Sequence, residues 1–122
     1  NSVVISNSNQ AKLADGTNTN FDPNNPDIRY GAGGKVIVKK KGNDIRYSNK
    51  GAYADVRIVD KDEWYLSMIE SYPEYEGKGY AYALVQQIIK DAKKDGANKL
   101  TLSASLENSE YFKYNYGFKT KE

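Results

Sequence analysis

The chain contains no cysteine and no histidine. The first absence removes disulfides, thiolate metal ligands and thiol nucleophiles. The second removes the commonest metal ligand and the side chain that most readily serves as a base near neutral pH. Whatever chemistry the protein performs must run without either, and no metal site is expected. No stretch approaches the roughly 20 apolar residues of a membrane span, and no secretory leader pattern is legible, so no membrane role is expected and a cytoplasmic home is. Neither charge sign dominates: 18 Lys and Arg face 16 Asp and Glu, a net +2. That balance argues against broad nucleic-acid binding. The one local basic run, Lys39-Lys40-Lys41, reads as a solvated edge strand that its lysines protect from unwanted pairing.

Tyrosine, by contrast, is abundant, with 11 in 122 residues. Tyr72, Tyr75, Tyr80 and Tyr82 surround one short glycine-rich segment, and Tyr111, Tyr114 and Tyr116 crowd another near the C-terminus. Most read as amphipathic filler, since the ring can be buried while the hydroxyl stays wet. The length suits one compact domain with one core of modest size.

The glycine-rich segment is Tyr75-Glu76-Gly77-Lys78-Gly79-Tyr80-Ala81. It abuts a helical pattern in which Ala81, Leu84, Val85, Ile88, Ile89 and Ala92 form one apolar stripe, closed by Lys93, Lys94 and Gly96. A helix start leaves its first N–H groups unpaired, and the helix dipole adds partial positive charge there. Gly77 and Gly79 can take positive φ, and Lys78 adds a cation, so the junction is a candidate phosphate cradle. Upstream, Trp64 to Ser71 alternates, with Trp64, Leu66 and Met68 expected on one face and Tyr65, Ser67 and Ile69 on the other. Pro73-Glu74 then forces a turn. Downstream, Asn98 to Ser105 reads as a strand with Leu100, Leu102 and Ala104 on its core side. Strand, glycine turn, helix and strand make a βαβ unit with the anion site at the helix start. No Gly-x-x-x-x-Gly-Lys-Ser/Thr run is present, which excludes a nucleotide-binding P-loop.

Residues 53 to 118 resemble the core of the GNAT acetyltransferase superfamily, whose acetyl-coenzyme A turn follows an Arg/Gln-x-x-Gly-x-Gly/Ala pattern. Here that pattern falls on Glu76-Gly77-Lys78-Gly79-Tyr80-Ala81. Ser71-Tyr72-Pro73-Glu74-Tyr75 resembles the family's Val-x-Pro-Glu-Tyr lead-in, and Asn108 to Phe118 its Asn…Phe-Tyr-x-x-x-Gly-Phe segment. The resemblance implies an α/β (α+β) fold in a compact version: a mixed, mostly antiparallel sheet with a central βαβ acetyl-CoA-binding unit. It also implies transfer of the acetyl group from acetyl-CoA to a primary amine, on a small molecule or a protein. Met68, Ile69, Glu70, Ser71, Glu76, Gly77, Lys78, Gly79, Tyr80, Ala81 and Asn108 are the implied cofactor contacts. A backbone N–H near Ile69 would stabilise the developing oxyanion. Tyr111 or Tyr114 would protonate the departing thiolate, and Glu70 or Glu63 would take the amine proton.

Two positions depart from the family pattern. Glu76 stands where Arg or Gln is usual, placing a carboxylate beside the expected pyrophosphate. Lys113 stands at the usual tyrosine position. Both departures favour the alternative of a catalytically inactive GNAT-like binding module.

The remaining chain divides into an extended segment, 1–34, with a short strand around Val3-Val4-Ile5, and the GNAT-like domain, 35–122. Thr17 to Asp27 is rich in Asn, Thr and Pro, which suits a loop, and Gly31-Ala32-Gly33-Gly34 a flexible joint. Phe21 to Tyr30 resembles segments that close domains in large phage and plasmid proteins, which implies a domain of a mobile-element polyprotein. Asp-Ile-Arg-Tyr occurs at Asp27 to Tyr30 and again at Asp44 to Tyr47, by chance or as two equivalent strand ends. Lys35 to Lys41 and Ala52 to Asp60 read as strands, the latter with Ala54, Val56 and Ile58 on one side. With Trp64 to Ser71 they are expected to form an antiparallel meander. So few residues follow Gly117-Phe118 that the strand near Val3, or a second subunit in a homodimer, is expected to complete the sheet.

Overall fold

The computed structural model describes residues 2–8, 20–21, 28–31, 34–105 and 118–120, with side chains over 35–105 and at Phe118. Nine strands among these residues form one sheet in the order β2-β3-β4-β5-β6-β7-β8-β1-β9. They are β1 Ser2–Ser8, β2 Asn20–Phe21, β3 Ile28–Gly31, β4 Gly34–Lys41, β5 Asp44–Ser48, β6 Ala52–Asp60, β7 Glu63–Ser71, β8 Lys99–Ser105 and β9 Lys119–Thr120. One helix, α1 Tyr80–Lys94, lies against β5 to β8. All neighbouring strands pair antiparallel except β7 and β8. This is the mixed, mostly antiparallel α/β sheet with a βαβ unit that the sequence implied.

The apolar stripe on α1 explains its place. Ala81, Leu84, Val85, Ile88, Ile89 and Ala92 are all buried, against Ala52, Ala54, Val56, Trp64, Leu66, Leu100 and Leu102 of the sheet. Each large aliphatic side chain so buried contributes about 1.5–3 kcal/mol. The helix stops in a Schellman arrangement: Ala97 N–H donates to the Ala92 carbonyl, Gly96 N–H to that of Lys93, and Gly96 takes φ 92°. Phe118, which ends the Gly-Phe pair, is 2% exposed and joins the same core. Among the described residues no helix is long and apolar enough to cross a membrane.

Several sequence expectations are corrected. The meander is not β4-β6-β7, because β5, carrying the second Ile-Arg-Tyr, intervenes between β4 and β6. The first Ile-Arg-Tyr lies in β3 on the opposite side of β4. The two copies are not equivalent: Ile28 is opposite Ile37, whereas Ile45 is opposite Lys40. Within the stretch read as a loop, Asn20–Phe21 pairs with β3, and Gly31 faces Gly34 as a register pair where a flexible joint was expected. Lysines 39 to 41 are exposed as expected, but β4 is not an edge strand: it lies between β3 and β5, and these lysines pair with β5 just beyond the described pairing with β3.

The face assignment of β7 also changes. Leu66 pairs with Val56 and Met68 with Asp55, which leaves Ser67 as an extra residue, a β-bulge. The bulge reverses the alternation. Trp64 and Leu66 point into the core, but Met68 is 46% exposed and Ile69 takes the inward place opposite Ala54. At the end of the sheet opposite β2 and β3, β1 pairs with β8 along Ser2–Ser8 and with β9 through Ile5 and Ser6.

A polar clasp fixes the helix on β5. Tyr47, 1% exposed, donates its hydroxyl to Asp91 Oδ2 at 2.7 Å, and Gln87 Nε2 donates to Asp91 Oδ1 at 2.8 Å. These bonds compensate a carboxylate near a helix C-terminus, where the dipole opposes it. Tyr47→Phe is expected to lower unfolding stability by about 1–2 kcal/mol with an unchanged denaturant slope. Urea unfolding followed by circular dichroism reads this directly, and an unchanged midpoint would remove the clasp from the account.

Candidate functional site

The site begins where β7 and β8 part. Their parallel pairing covers only Glu63 with Lys99, Trp64 with Leu100 and Tyr65 with Thr101. Beyond that point β7 runs on beside β6 as far as Ser71 opposite Ala52, while β8 runs on beside β1 as far as Ser105 opposite Ser2. Among the described residues, the side of Leu66 to Ser71 that faced β8 gains no new strand partner. A slot with a backbone edge therefore opens toward the C-terminal end of β7.

That end leads straight into the glycine turn. Tyr72 N–H donates to the Gly51 carbonyl at 2.9 Å, then Pro73–Tyr75 makes one 3-10 turn, with proline where a missing N–H costs nothing. Glu76 is extended, and Gly77 takes φ 74°. Gly79, φ 88°, is the N-cap of α1 and offers no side-chain cap; the first helical bond runs from Ala83 N–H to the Gly79 carbonyl at 3.0 Å. Consequently the N–H groups of Gly77, Lys78, Gly79, Tyr80 and Ala81 find no acceptor among the described residues. No acidic residue occupies the first turn of α1. Successive donor groups at an uncapped helix start favour an anion. A Cβ at Gly77 or Gly79 would meet nothing within 4 Å, so it is the positive φ, rather than crowding, that calls for glycine.

The turn is open to solvent, with Glu76, Gly77, Lys78 and Gly79 all exposed. Lys78 brings a cation and Glu76 an opposing carboxylate. On β7, Met68 and Glu70 are exposed and Ile69 and Ser71 half-buried. Glu70 lies opposite Tyr53. Met68 through Ser71 and Glu76 through Ala81 thus sit on one continuous path from the slot to the helix.

Glu63 is elsewhere. It opens β7 at the end opposite the turn, about 23 Å from Glu70 along a strand rising roughly 3.3 Å per residue. Its carboxylate accepts a hydrogen bond from Thr101 Oγ1 at 2.9 Å and faces Lys99 Nζ at 3.8 Å. Thr101 is 2% exposed, so this bond satisfies a buried hydroxyl at the one parallel junction. Glu63 is therefore a strand clamp in the described structure. Asn108, Tyr111 and Tyr114, with Lys113 and Tyr116, lie outside the described residues.

The third wall was not legible in the residue pattern. Asn49, Lys50 and Gly51, between β5 and β6, meet the turn: Asn49 Nδ2 donates to the Tyr80 carbonyl at 3.0 Å. Lys50 Nζ lies 5.7 Å from the centre of the Tyr75 ring, and the Tyr75 and Tyr80 rings meet edge-on at 5.3 Å. Asn-Lys-Gly signals a turn, but no local pattern announces a contact across 31 residues. On the two strands behind β7, Arg46 of β5 forms a two-point ion pair with Asp55 of β6 at 2.7 and 2.8 Å and covers the Tyr53 ring at 4.7 Å. These bonds raise the Arg46 pKa above its ordinary value, first through the hydrogen bond to Asp55 and then through its charge. Tyr53 in turn lies 6.3 Å from Tyr72.

A family model described as the acetyltransferase (GNAT) family matches residues 31–116. The match spans well over half of the chain, and the chain belongs to that family. No curated protein matches it. Among the described residues no group of three or more Asp or Glu side chains is arranged to hold a metal ion.

If positive φ is the reason for glycine at the turn, Gly79→Ala should cost about 1 kcal/mol of stability although the space is open. Chemical unfolding of the variant checks this. A variant as stable as the parent would contradict the left-handed geometry of the cap.

Proposed function

We propose that the protein is an N-acetyltransferase that passes the acetyl group of acetyl-CoA directly to a primary amine, carried by a small molecule or a protein. The observation that carries this reading is the run of N–H groups from Gly77 to Ala81 that find no acceptor among the described residues, set at an uncapped helix start. Family membership supplies the ligand that such a run fits, a pyrophosphate-bearing thioester. Acetyl-CoA, when bound, supplies an activated acyl group whose carbonyl an amine can attack.

In this reading the N–H groups of Gly77 to Ala81 hold the pyrophosphate, and Lys78 adds a mobile countercharge. The open backbone edge at Met68 to Ser71 receives an extended arm as a strand receives its neighbour. A backbone N–H near Ile69, on the strand just past the Ser67 bulge, polarises the acyl oxygen. Glu70, exposed at the end of β7, receives the proton that the amine loses. Tyr111 or Tyr114 gives a proton to the departing thiolate. Glu63 takes no part, because it is engaged at the opposite end of the strand.

Glu76 favours a second reading, a relative that binds without catalysing, because its carboxylate stands where the family places a neutral or cationic side chain. Two measurements separate these outcomes. Calorimetric titration with acetyl-CoA should give micromolar binding, about −8 kcal/mol, abolished by Gly79→Glu. Absence of heat with the parent protein overturns the proposal. Glu76→Gln should tighten binding by roughly three- to fivefold at low salt and by less at high salt. An unchanged affinity would show that the carboxylate does not oppose the bound anion.

A further inference from the structure

The glycine turn does not hold its own shape. Among the described residues its members make few bonds to one another: Tyr75 N–H reaches the Tyr72 carbonyl at 2.8 Å and Glu76 N–H that of Pro73 at 3.4 Å, and nothing follows until α1 begins. Two of its residues have positive φ, and between Tyr72 and Gly79 all but Tyr75 are exposed. A segment so built has many conformations of similar energy unless something outside it removes them.

That outside support is the loop 49–51. The Gly51 carbonyl accepts from Tyr72 N–H at 2.9 Å, which fixes the entry to the segment. Asn49 Nδ2 donates to the Tyr80 carbonyl at 3.0 Å, which fixes the exit. The Asn49 side chain is itself locked, since its Oδ1 accepts from the N–H groups of Gly51 at 3.0 Å and Ala52 at 2.9 Å. The loop can come this close only because residue 51 is glycine. A Cβ there would lie 2.5 Å from Tyr80 Cγ and 2.9 Å from Tyr75 Cβ. Gly51 therefore serves as the floor on which both aromatic rings rest.

The bond from Asn49 reaches the site through one rigid plane. The Tyr80 carbonyl and the Ala81 N–H belong to the same trans peptide, so pinning the oxygen aims the hydrogen the opposite way. That hydrogen is one of the cradle's donors with no acceptor among the described residues. A donor on the carbonyl also polarises the peptide and strengthens its N–H. We propose that Asn49 and Gly51 are positioning residues for the anion-binding turn: they set the direction of the Ala81 N–H and the spacing between Tyr72 and Tyr80. The inference rests on the acetyl-CoA reading of that turn.

The test is calorimetric titration of the whole chain with coenzyme A, in the parent protein and in three variants, each checked by thermal unfolding. Asn49→Ser keeps an acceptor for the loop N–H groups but is too short to reach Tyr80. It should raise Kd about tenfold, as expected for losing one well-placed hydrogen bond. Gly51→Ala should raise it at least as much, by pushing Tyr80 from its place. Tyr47→Phe loosens the same helix near its other end and controls for general destabilisation; its Kd should stay within about twofold of the parent. If Gly51→Ala does not fold, Asn49→Ser alone decides. A folded Asn49→Ser that binds as well as the parent overturns the inference, and so does an equal loss in Tyr47→Phe. No binding by the parent overturns the acetyl-CoA reading and the inference with it.

Discussion

The fold depends on a junction of three residue pairs, the parallel contact of Glu63, Trp64 and Tyr65 with Lys99, Leu100 and Thr101. Parallel neighbours cannot be joined by a tight hairpin, so the chain between them must cross the sheet, and the helix α1 is that crossing. The crossing places the helix start just past the C-terminal end of β7, where α/β sheets commonly bind ligands. The shortness of the junction matters as much as its direction. Had the pairing continued past Tyr65, β7 would present no free edge. The Glu63 to Thr101 hydrogen bond at 2.9 Å holds the strands together on one side of the point where they diverge.

The rest of the site follows from how a chain leaves that edge and enters a helix. Pro73 and the short 3-10 turn redirect the backbone, and two glycines at positive φ then deliver it to a helix start that lacks a side-chain cap. Omitting the side-chain cap costs little local stability, roughly a few tenths of a kcal/mol with glycine at the N-cap. Burial of the α1 stripe offsets that several times over. The arrangement keeps donors available by anchoring the helix elsewhere: in the core, at the Schellman end, and through the Tyr47–Asp91–Gln87 clasp.

Much of this was legible in the sequence. The period of Ala81 to Ala92 marks the helix, and the alternations of Ala52 to Asp60 and of Leu100, Leu102 and Ala104 mark strands, because each reports a face pressed against one core. What escaped depended on partners distant in sequence. Ser67 becomes a bulge only through the register that β6 imposes, which is why Met68 turns outward. β5 alternates in both sequence and burial, but it is only five residues long, too short a run to stand out before its neighbours are known. Gln86 and Gln87 are polar, yet both are buried beside the apolar stripe. Asn49 and Gly51 carry an ordinary turn signal, and their contact with Tyr80 belongs to the tertiary structure alone. Glu63, read beside Glu70 as a candidate base, is separated from it by the length of the strand.

The most direct test of the account is backbone amide NMR during titration with coenzyme A. The largest shift changes should fall on the N–H groups of Gly77, Lys78, Gly79, Tyr80 and Ala81, followed by Met68 to Ser71 along the open edge. Changes confined to other strands, with these amides unmoved at saturation, would contradict the claim that the uncapped helix start is the anion site.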